Sequence, residues 1–268
     1  MESFNVFEIE MGCHIVGQGP PVLLVHGFPL DHGMWHHQID YLANRYQVIA
    51  PDLRGFGVSQ RGTAELTMSQ LALDLSELLQ KIVGEQPVCF CGLSMGGYIA
   101  WEFYRSFPKR LSHLILCDTR AAADDEAAAR VRRMTARSVL KYGMDELARS
   151  MPNRLVVPDP TESQAAVRDQ LSRTIQRAAP QSVADGLLGM ALRNDATPLL
   201  ASIACPTLLV VGEQDRITTP GEMSEVAHAI PDSQLLSVPG AGHLAPLESP
   251  EFVNRAIGRF LAGEPLST

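Results

Sequence analysis

The fold of this chain is decided by the stretch Gly92-Leu93-Ser94-Met95-Gly96. The apolar run before it, Val88–Cys91, predicts a buried strand, and residues 97–103 after it predict a helix. In this strand–turn–helix setting, Gly-x-Ser-x-Gly is typical of a nucleophile elbow, a turn so sharp that neighbouring side chains would collide. Glycine at positions 92 and 96 removes those collisions. We therefore expect the hydroxyl of Ser94 to stand at the carboxyl edge of a sheet, where a helix begins.

Buried strands and helices alternate on both sides of this turn. Further strands are predicted at residues 22–25, 48–50, 114–117, 207–211 and 235–238. Helix starts are predicted from capping residues at Thr67, Thr219 and Ser249. At the amino end, residues 4–9 and 13–16 predict a hairpin with its turn at Met11-Gly12. The alternation predicts an α/β fold, with a doubly wound, mostly parallel sheet of about eight strands.

The middle of the chain interrupts this alternation. Residues 120–194 show helical patterns and no convincing strand, with Asp124-Asp125-Glu126, Thr161 and Pro180 placed where helices begin. We interpret residues 120–194 as a helical cap inserted between two strands of the sheet. Residues 1–119 and 195–268 then form the core.

Composition excludes several classes of protein. The chain has 268 residues and a net charge of -8, which argues against a nucleic-acid-binding surface. It has no apolar run of the roughly 18 residues that span a bilayer, and its amino end does not resemble a secretory signal. The five cysteines, an odd number without a Cys-x-x-Cys pair, are typical of reduced thiols in a cytoplasmic protein.

Two further polar residues follow predicted strands at the same edge as Ser94. Asp215 follows the strand that ends at Val211, and His243 lies on a glycine-rich loop after the last strand. A serine hydroxyl is a weak nucleophile that needs a general base, and the base needs a group to orient it. The order Ser94, Asp215, His243 predicts a nucleophile, an orienting acid and a base.

Acyl transfer also requires N–H donors for the negative charge that develops on the carbonyl oxygen. The backbone N–H of Met95, directly after Ser94, is one candidate. The second is the N–H of Phe28, in the His26-Gly27-Phe28-Pro29 stretch that follows the strand 22–25. Pro29 has no N–H and is excluded.

Together these stretches resemble the α/β-hydrolase fold family over essentially the whole chain. The matching residues are 26–28, 52–59, 92–97, 212–215 and 240–243. Within the family the chain is most similar to cofactor-free esterases and perhydrolases and to enol-lactonases. The resemblance implies hydrolysis of a small carboxylic ester or lactone through an acyl-enzyme, with neither a cofactor nor a metal. It implies a small-molecule substrate as partner and leaves the oligomeric state open.

Several alternatives stay open at this point. Some family members carry the acid one strand earlier, which here is Asp118, although we favour Asp215. The same three residues also suit a hydrolase of C–C bonds, a perhydrolase side activity or a ligand receptor.

Other residues have two interpretations each. His32 and His36 have the spacing of metal ligands, but a packed or solvated face is the simpler interpretation. Arg120 suits either a substrate carboxylate or a hinge ion pair. Seven apolar residues of the cap are candidates for lining a pocket or filling the cap core: Met134, Met144, Met151, Leu155, Val156, Val157 and Met190.

Overall fold

The computed structural model describes residues 1–266, and strands from both halves of that range form one sheet. The strands are β1 (Glu2–Val6), β2 (Ile9–Val16), β3 (Pro21–Val25), β4 (Gln47–Pro51), β5 (Val88–Leu93), β6 (Leu111–Cys117), β7 (Thr207–Gly212) and β8 (Ser233–Val238). Their order is β1-β2-β4-β3-β5-β6-β7-β8, antiparallel at β1/β2 and β2/β4 and parallel elsewhere. The predicted doubly wound, mostly parallel sheet of about eight strands is confirmed.

Helices connect the parallel strands and cover the sheet. They are α1 (His36–Leu42), α2 (Met68–Val83), α3 (Met95–Ser106), α4 (Glu126–Tyr142), α5 (Asp145–Ser150), α6 (Pro152–Leu155), α7 (Glu162–Arg177), α8 (Pro180–Ala191), α9 (Pro220–Ala229), α10 (Ala245–Glu248) and α11 (Pro250–Leu261). Helices α2 and α3 pack against each other, and α1 packs against α11. The central strands β3, β5 and β7 are buried along their whole length, as a sheet covered on both faces requires.

The helix starts predicted from capping residues are confirmed. The Thr67 hydroxyl accepts the Gln70 N–H at 3.0 Å, which caps α2. Thr219 and Glu222 form a complete capping box at α9, with proline in its first turn. Local sequence alone therefore determines where these helices begin.

The predicted position of the amino-terminal turn is wrong. The hairpin turns at residues 7–8, where Phe7 takes a φ of +50°, and Met11 and Gly12 lie inside β2. A β-carbon at Gly12 would lie 2.3 Å from Cγ2 of Val58, so this glycine permits close packing against the loop after β4. The prediction was wrong because a glycine required for close packing, such as Gly12, looks the same in sequence as a glycine required for a turn.

Five helices, α4 to α8, occupy the chain between β6 and β7 without a strand, where the helical cap was predicted. Helices α4 and α8 pack closely against each other, and α7 packs against α5 and α6. No helix within residues 1–266 combines the length and apolar character needed to cross a membrane.

A buried arginine fixes the loop after β4 to helix α2. The guanidinium of Arg54 is fully buried and donates from Nε and Nη2 to the two carboxylate oxygens of Asp74, at 2.6 and 2.7 Å. Nη1 of Arg54 also pairs with Glu8 at the amino-terminal hairpin. Three separate segments therefore depend on one cation, whose desolvation is offset only while its carboxylates stay in place.

Replacing Arg54 should strongly destabilise the fold. Arg54→Met leaves the buried carboxylate of Asp74 without a counter-charge, so we expect the free energy of unfolding in urea to fall by about 3–5 kcal/mol. The exposed Arg45 provides the matched control Arg45→Met, for which little change is expected. Adding Asp74→Leu to Arg54→Met should restore much of the loss, and a double variant no more stable than the single one would contradict the pairing.

Candidate active site

Ser94 occupies a strained turn between β5 and α3. Its φ of +54° and ψ of -109° lie in a region that residues other than glycine rarely adopt. A β-carbon on Gly92 would lie 2.5 Å from the carbonyl carbon of Gly96, and one on Gly96 would lie 2.3 Å from the carbonyl oxygen of Val25. Both contacts are too short for any side chain, so the two glycines of the motif are sterically required, as predicted.

The turn is also tied to the end of β6. The Ser94 N–H donates to the carbonyl of Cys117 at 2.9 Å, and the hydroxyl of Thr119 donates to the carbonyl of Ser94 at 2.8 Å. Gly97 lies so close to Thr119 that a β-carbon there would be 2.4 Å from the hydroxyl oxygen. The sequence analysis missed Thr119, because only the parallel pairing of β5 with β6 brings it beside the elbow.

The imidazole of His243 lies between Ser94 and Asp215. Its Nε2 is 2.9 Å from Oγ of Ser94, and its Nδ1 is 2.8 Å from Oδ2 of Asp215. The other oxygen of Asp215 accepts the N–H groups of Ile217 and Thr218, at 2.7 and 3.1 Å. With Asp215 holding a proton on Nδ1, Nε2 is left as an acceptor for the serine hydroxyl. The structure brings the three residues predicted from sequence into one chain of hydrogen bonds.

Asp118, the alternative acid, bonds to other groups. Its Oδ1 accepts the Gly212 N–H at 2.9 Å and its Oδ2 accepts the Ala245 N–H at 3.2 Å. Burial and then the nearby charge of Asp215 raise the pKa of the Asp118 carboxyl well above its ordinary value. Asp118 holds the ends of two loops together, and Asp215 is the carboxylate that faces the imidazole.

Glu248 holds the loop that carries His243, a role that the sequence analysis did not predict. One carboxylate oxygen accepts the N–H groups of Gly242 and Leu244, on either side of His243, at 3.0 and 3.1 Å. The other accepts the Val157 N–H at 3.0 Å, and the His243 N–H donates to the carbonyl of Leu155 at 2.8 Å. Burial raises the pKa of the Glu248 carboxyl despite these donors. The histidine loop is therefore fastened to the segment between α6 and α7.

The two predicted oxyanion donors belong to Phe28, in the loop after β3, and to Met95, which directly follows Ser94 at the start of α3. Within residues 1–266 neither backbone N–H donates a hydrogen bond to another protein group. Met95 is the first residue of α3, where an N–H has no partner inside the helix. Phe28 lines the cavity that contains Ser94, and Met95 directly follows Ser94 in the chain. Free N–H groups at this position can stabilise a developing oxyanion.

His26 supports the Phe28 loop through both nitrogens of its ring. Its Nε2 accepts the Leu53 N–H at 3.0 Å, and its Nδ1 lies 3.0 Å from the carbonyl of Gly27, which can only accept. The ring is fully buried, and burial lowers the pKa of His26, which favours the neutral form that these two partners require. His26 therefore acts on the loop and not on the reacting atoms.

A cavity of about 320 Å³ opens onto Ser94 and His243. Of the seven apolar residues predicted as pocket or core, three line this cavity, namely Met151, Leu155 and Met190. Met144, Val156 and Val157 are buried in the hydrophobic core, and Met134 is 62% exposed. Periodicity alone did not separate these groups, because it does not show which helix face points toward the sheet edge.

His32 and His36 bond to different partners, which agrees with the packed face preferred for them over a metal site. His32 bonds through Nδ1 to Oδ1 of Asp52 at 2.7 Å, which raises the pKa of His32, and Nδ1 of His36 bonds to the carbonyl of Gly33. Potential ligand atoms of Asp31, His32 and Asp52 lie within 4.8 Å of one another, but each carboxylate already accepts a backbone N–H. Hydrogen bonds within the loop therefore explain why Asp31, His32 and Asp52 lie together.

Arg120 forms the ion pair that was one of its two predicted roles. Its Nη2 lies 3.3 Å from Oε1 of Glu222 and donates to the carbonyl of Ile217. Arg120 does not border the cavity that contains Ser94. A role in gripping substrate is therefore not supported for this residue.

Comparisons with known proteins agree with the observed fold. A family model described as alpha/beta hydrolase fold matches residues 20–250. The solved structure of a thermophilic esterase from Thermogutta terrifontis, with malate bound, is 44% identical with a TM-score of 0.91, covering 95% of this chain and 94% of that one. The relative 3-oxoadipate enol-lactonase 2 of Acinetobacter baylyi is 28% identical over 258 residues, 96% of this chain and 94% of that protein. The predicted similarity to esterases and enol-lactonases is confirmed.

Removing the Glu248 carboxylate should loosen the histidine loop. Glu248→Ala leaves three N–H donors unpaired, and each costs about 1–3 kcal/mol if it stays buried. We expect faster amide hydrogen exchange at Gly242, Leu244 and Val157, measured by NMR or mass spectrometry. Glu251→Ala removes a carboxylate whose side chain is 93% exposed and provides the control. Unchanged exchange at all three amides in Glu248→Ala would show that the carboxylate does not hold the loop.

Proposed function

Because this chain belongs to the α/β-hydrolase fold family, we propose that it is a serine hydrolase that cleaves a small carboxylic ester or lactone through an acyl-enzyme. The observation that carries the proposal is the position of the His243 ring, 2.9 Å from the Ser94 hydroxyl and 2.8 Å from the Asp215 carboxylate. The similarity to an esterase and to an enol-lactonase supports the choice of substrate class.

The first half of the reaction follows from the hydrogen bonds. Nε2 of His243 takes the proton of Ser94 as its oxygen attacks the carbonyl carbon of the substrate. The N–H groups of Phe28 and Met95 stabilise the negative charge that develops on the carbonyl oxygen. His243 then donates its proton to the departing alkoxide oxygen, which leaves the acyl group on Ser94.

The second half repeats these steps with water. His243 takes a proton from a water molecule, the resulting hydroxide attacks the acyl carbon, and the proton returns to Ser94 as the acid product leaves. Asp215 keeps Nδ1 protonated and stabilises the imidazolium throughout, because its second oxygen is held by Ile217 and Thr218. No step in this scheme uses a cofactor.

In this proposal the two parts of the chain have separate tasks. The core, residues 1–119 and 195–268, supplies the reacting groups. The cap, residues 120–194, supplies much of the cavity wall, including Met151, Leu155 and Met190. A mainly apolar wall around a space of about 320 Å³ suits a small ester or lactone.

Ser94→Ala should abolish ester hydrolysis. Loss of the nucleophile is expected to lower turnover of 4-nitrophenyl acetate by about 10⁶-fold, the loss known for a triad nucleophile. Ser237→Ala, which changes an exposed serine of β8, is the matched control and should retain full activity. Retention of more than a few per cent of the activity in Ser94→Ala would exclude Ser94 as the nucleophile.

A second pair of variants distinguishes the two candidate acids. Asp215→Asn places an amide against Nδ1 of His243 and favours the wrong tautomer, so kcat should fall by about 10⁴-fold while the protein stays folded. Asp118→Asn instead leaves one of two buried N–H groups unpaired, and its main effect should be a lower melting temperature. The reverse result, a large loss of kcat only in Asp118→Asn, would assign the acid to Asp118.

A further inference from the structure

The cavity beside Ser94 carries positive charge in an acidic protein. The net charge of the chain is -8, yet two arginines, Arg132 and Arg154, line the cavity. None of the residues within 1–266 that border it is an aspartate or a glutamate. A cavity lined by one sign of charge concentrates ligands of the opposite sign.

The charge on Arg132 is only partly balanced by its neighbours. Asp124 is its carboxylate partner, with Oδ2 2.5 Å from Nε of Arg132. The other oxygen of Asp124 is 2.5 Å from Nη1 of Arg193, so one carboxylate serves two guanidinium groups. Although burial opposes it, the bonds from Arg132 and Arg193 lower the pKa of Asp124 and keep it ionised. This cluster retains a surplus positive charge.

One nitrogen of Arg132 lacks an oxygen partner. Its Nη1 donates to the thioether sulfur of Met190 at 3.4 Å, and sulfur is a weak acceptor. Met190 also lines the cavity, so this edge of the guanidinium borders the space in front of Ser94. The hydrogen bonds that Nε and Nη2 of Arg132 donate to the Asp124 carboxylate hold the guanidinium in one orientation. A charged donor is therefore held at the cavity wall with only a weak sulfur acceptor on this nitrogen.

Arg154 provides a second guanidinium at the same cavity. Its side chain is exposed and, within residues 1–266, makes neither an ion pair nor a hydrogen bond. It also borders an adjoining cavity of about 190 Å³, which Arg216 lines as well. Arg154 thus lies at the boundary of the two spaces, where an incoming substrate can meet it.

We propose that Arg132 and Arg154 form a carboxylate subsite, and that the preferred ester or lactone carries a carboxylate in addition to the bond that is cleaved. This inference rests on the proposed function and names its substrate class. A carboxylate matches the planar donor edge of a guanidinium and forms charge-assisted hydrogen bonds with it. Apolar residues of the same cavity wall, such as Leu147 and Leu187, can contact the carbon chain that joins the two groups.

Matched substrates test the subsite without changing the reaction. Monoethyl glutarate has its carboxylate on the acyl side, and ethyl 5-methylhexanoate replaces that carboxylate with an isopropyl group of similar shape. The pair 4-acetoxybutanoate and 4-methylpentyl acetate makes the same comparison on the alcohol side. The measurement is kcat/KM for each ester, followed by acid release in a pH-stat.

In the wild type we expect the charged member of at least one pair to react with the higher kcat/KM. Arg154→Gln should lower that preference by about 10- to 100-fold, because a charge-assisted hydrogen bond is lost. Arg132→Gln should act in the same direction, with Arg193 still pairing Asp124. The preference should also weaken with added salt. Arg137→Gln removes an exposed arginine of α4 outside the cavity and should leave both rates unchanged.

The outcomes separate this inference from the proposed function. Hydrolysis that depends on Ser94 but shows no preference for either charged ester would overturn the subsite alone. Equal losses on charged and neutral esters in Arg154→Gln would also overturn it, because they would indicate a structural role. Hydrolysis that survives in Ser94→Ala would contradict the serine mechanism itself.

Discussion

The strained backbone of Ser94 is the constraint on which the rest of the site depends. A φ of +54° at a serine persists only where the surrounding structure leaves no alternative. Here the Val25 carbonyl packs against Gly96, and the Cys117 carbonyl accepts the Ser94 N–H. Strands β3 and β6, on either side of β5, therefore hold the elbow from both sides. The parallel sheet fixes the nucleophile in space, and the neighbouring loops then determine what it faces.

Those loops leave the carboxyl edge of the sheet with backbone N–H groups that no strand can pair. Such groups cannot be buried without partners. Three buried carboxylates act as the acceptors: Asp118 accepts from Gly212 and Ala245, Asp215 from Ile217 and Thr218, and Glu248 from the residues flanking His243. One of the three also faces the imidazole. Buried carboxylates that accept backbone N–H groups thus stabilise the loops, and one of them, Asp215, also orients the base.

The segment between β6 and β7 contacts the carboxyl edge of the sheet in two ways. The Leu155 carbonyl accepts the His243 N–H, and the Val157 N–H donates to Glu248, which in turn holds the main chain around His243. Side chains of α4, α6 and α8 form the wall of the cavity and bring arginine to it. In the proposed function the first contact preserves the reacting geometry, whereas the second sets which substrates enter. Selectivity can therefore vary on these helices without disturbing the elbow.

Much of this protein is determined locally and is accessible from sequence. The elbow requires glycine at 92 and 96 for steric reasons, capping residues start the helices, and buried parallel strands are continuous apolar runs. Because parallel strands end at a common edge, the order of Ser94, Asp215 and His243 along the chain already predicted their meeting.

Other features depend on contacts between segments distant in sequence. Gly12 has the sequence pattern of a turn residue but packs against Val58. Glu248 anchors the histidine loop because the fold places α10 beside Val157. The sequence favoured Asp215 over Asp118, but the different hydrogen-bond partners of the two carboxylates depend on three-dimensional positions. The division of the apolar residues of 120–194 between cavity and core likewise depends on them. The sequence pattern predicts the buried strands and the helix starts, because both depend on residues close together in the chain. Which cap residues are buried, and what each one contacts, is decided by the packing of the whole chain, as the exposed Met134 shows.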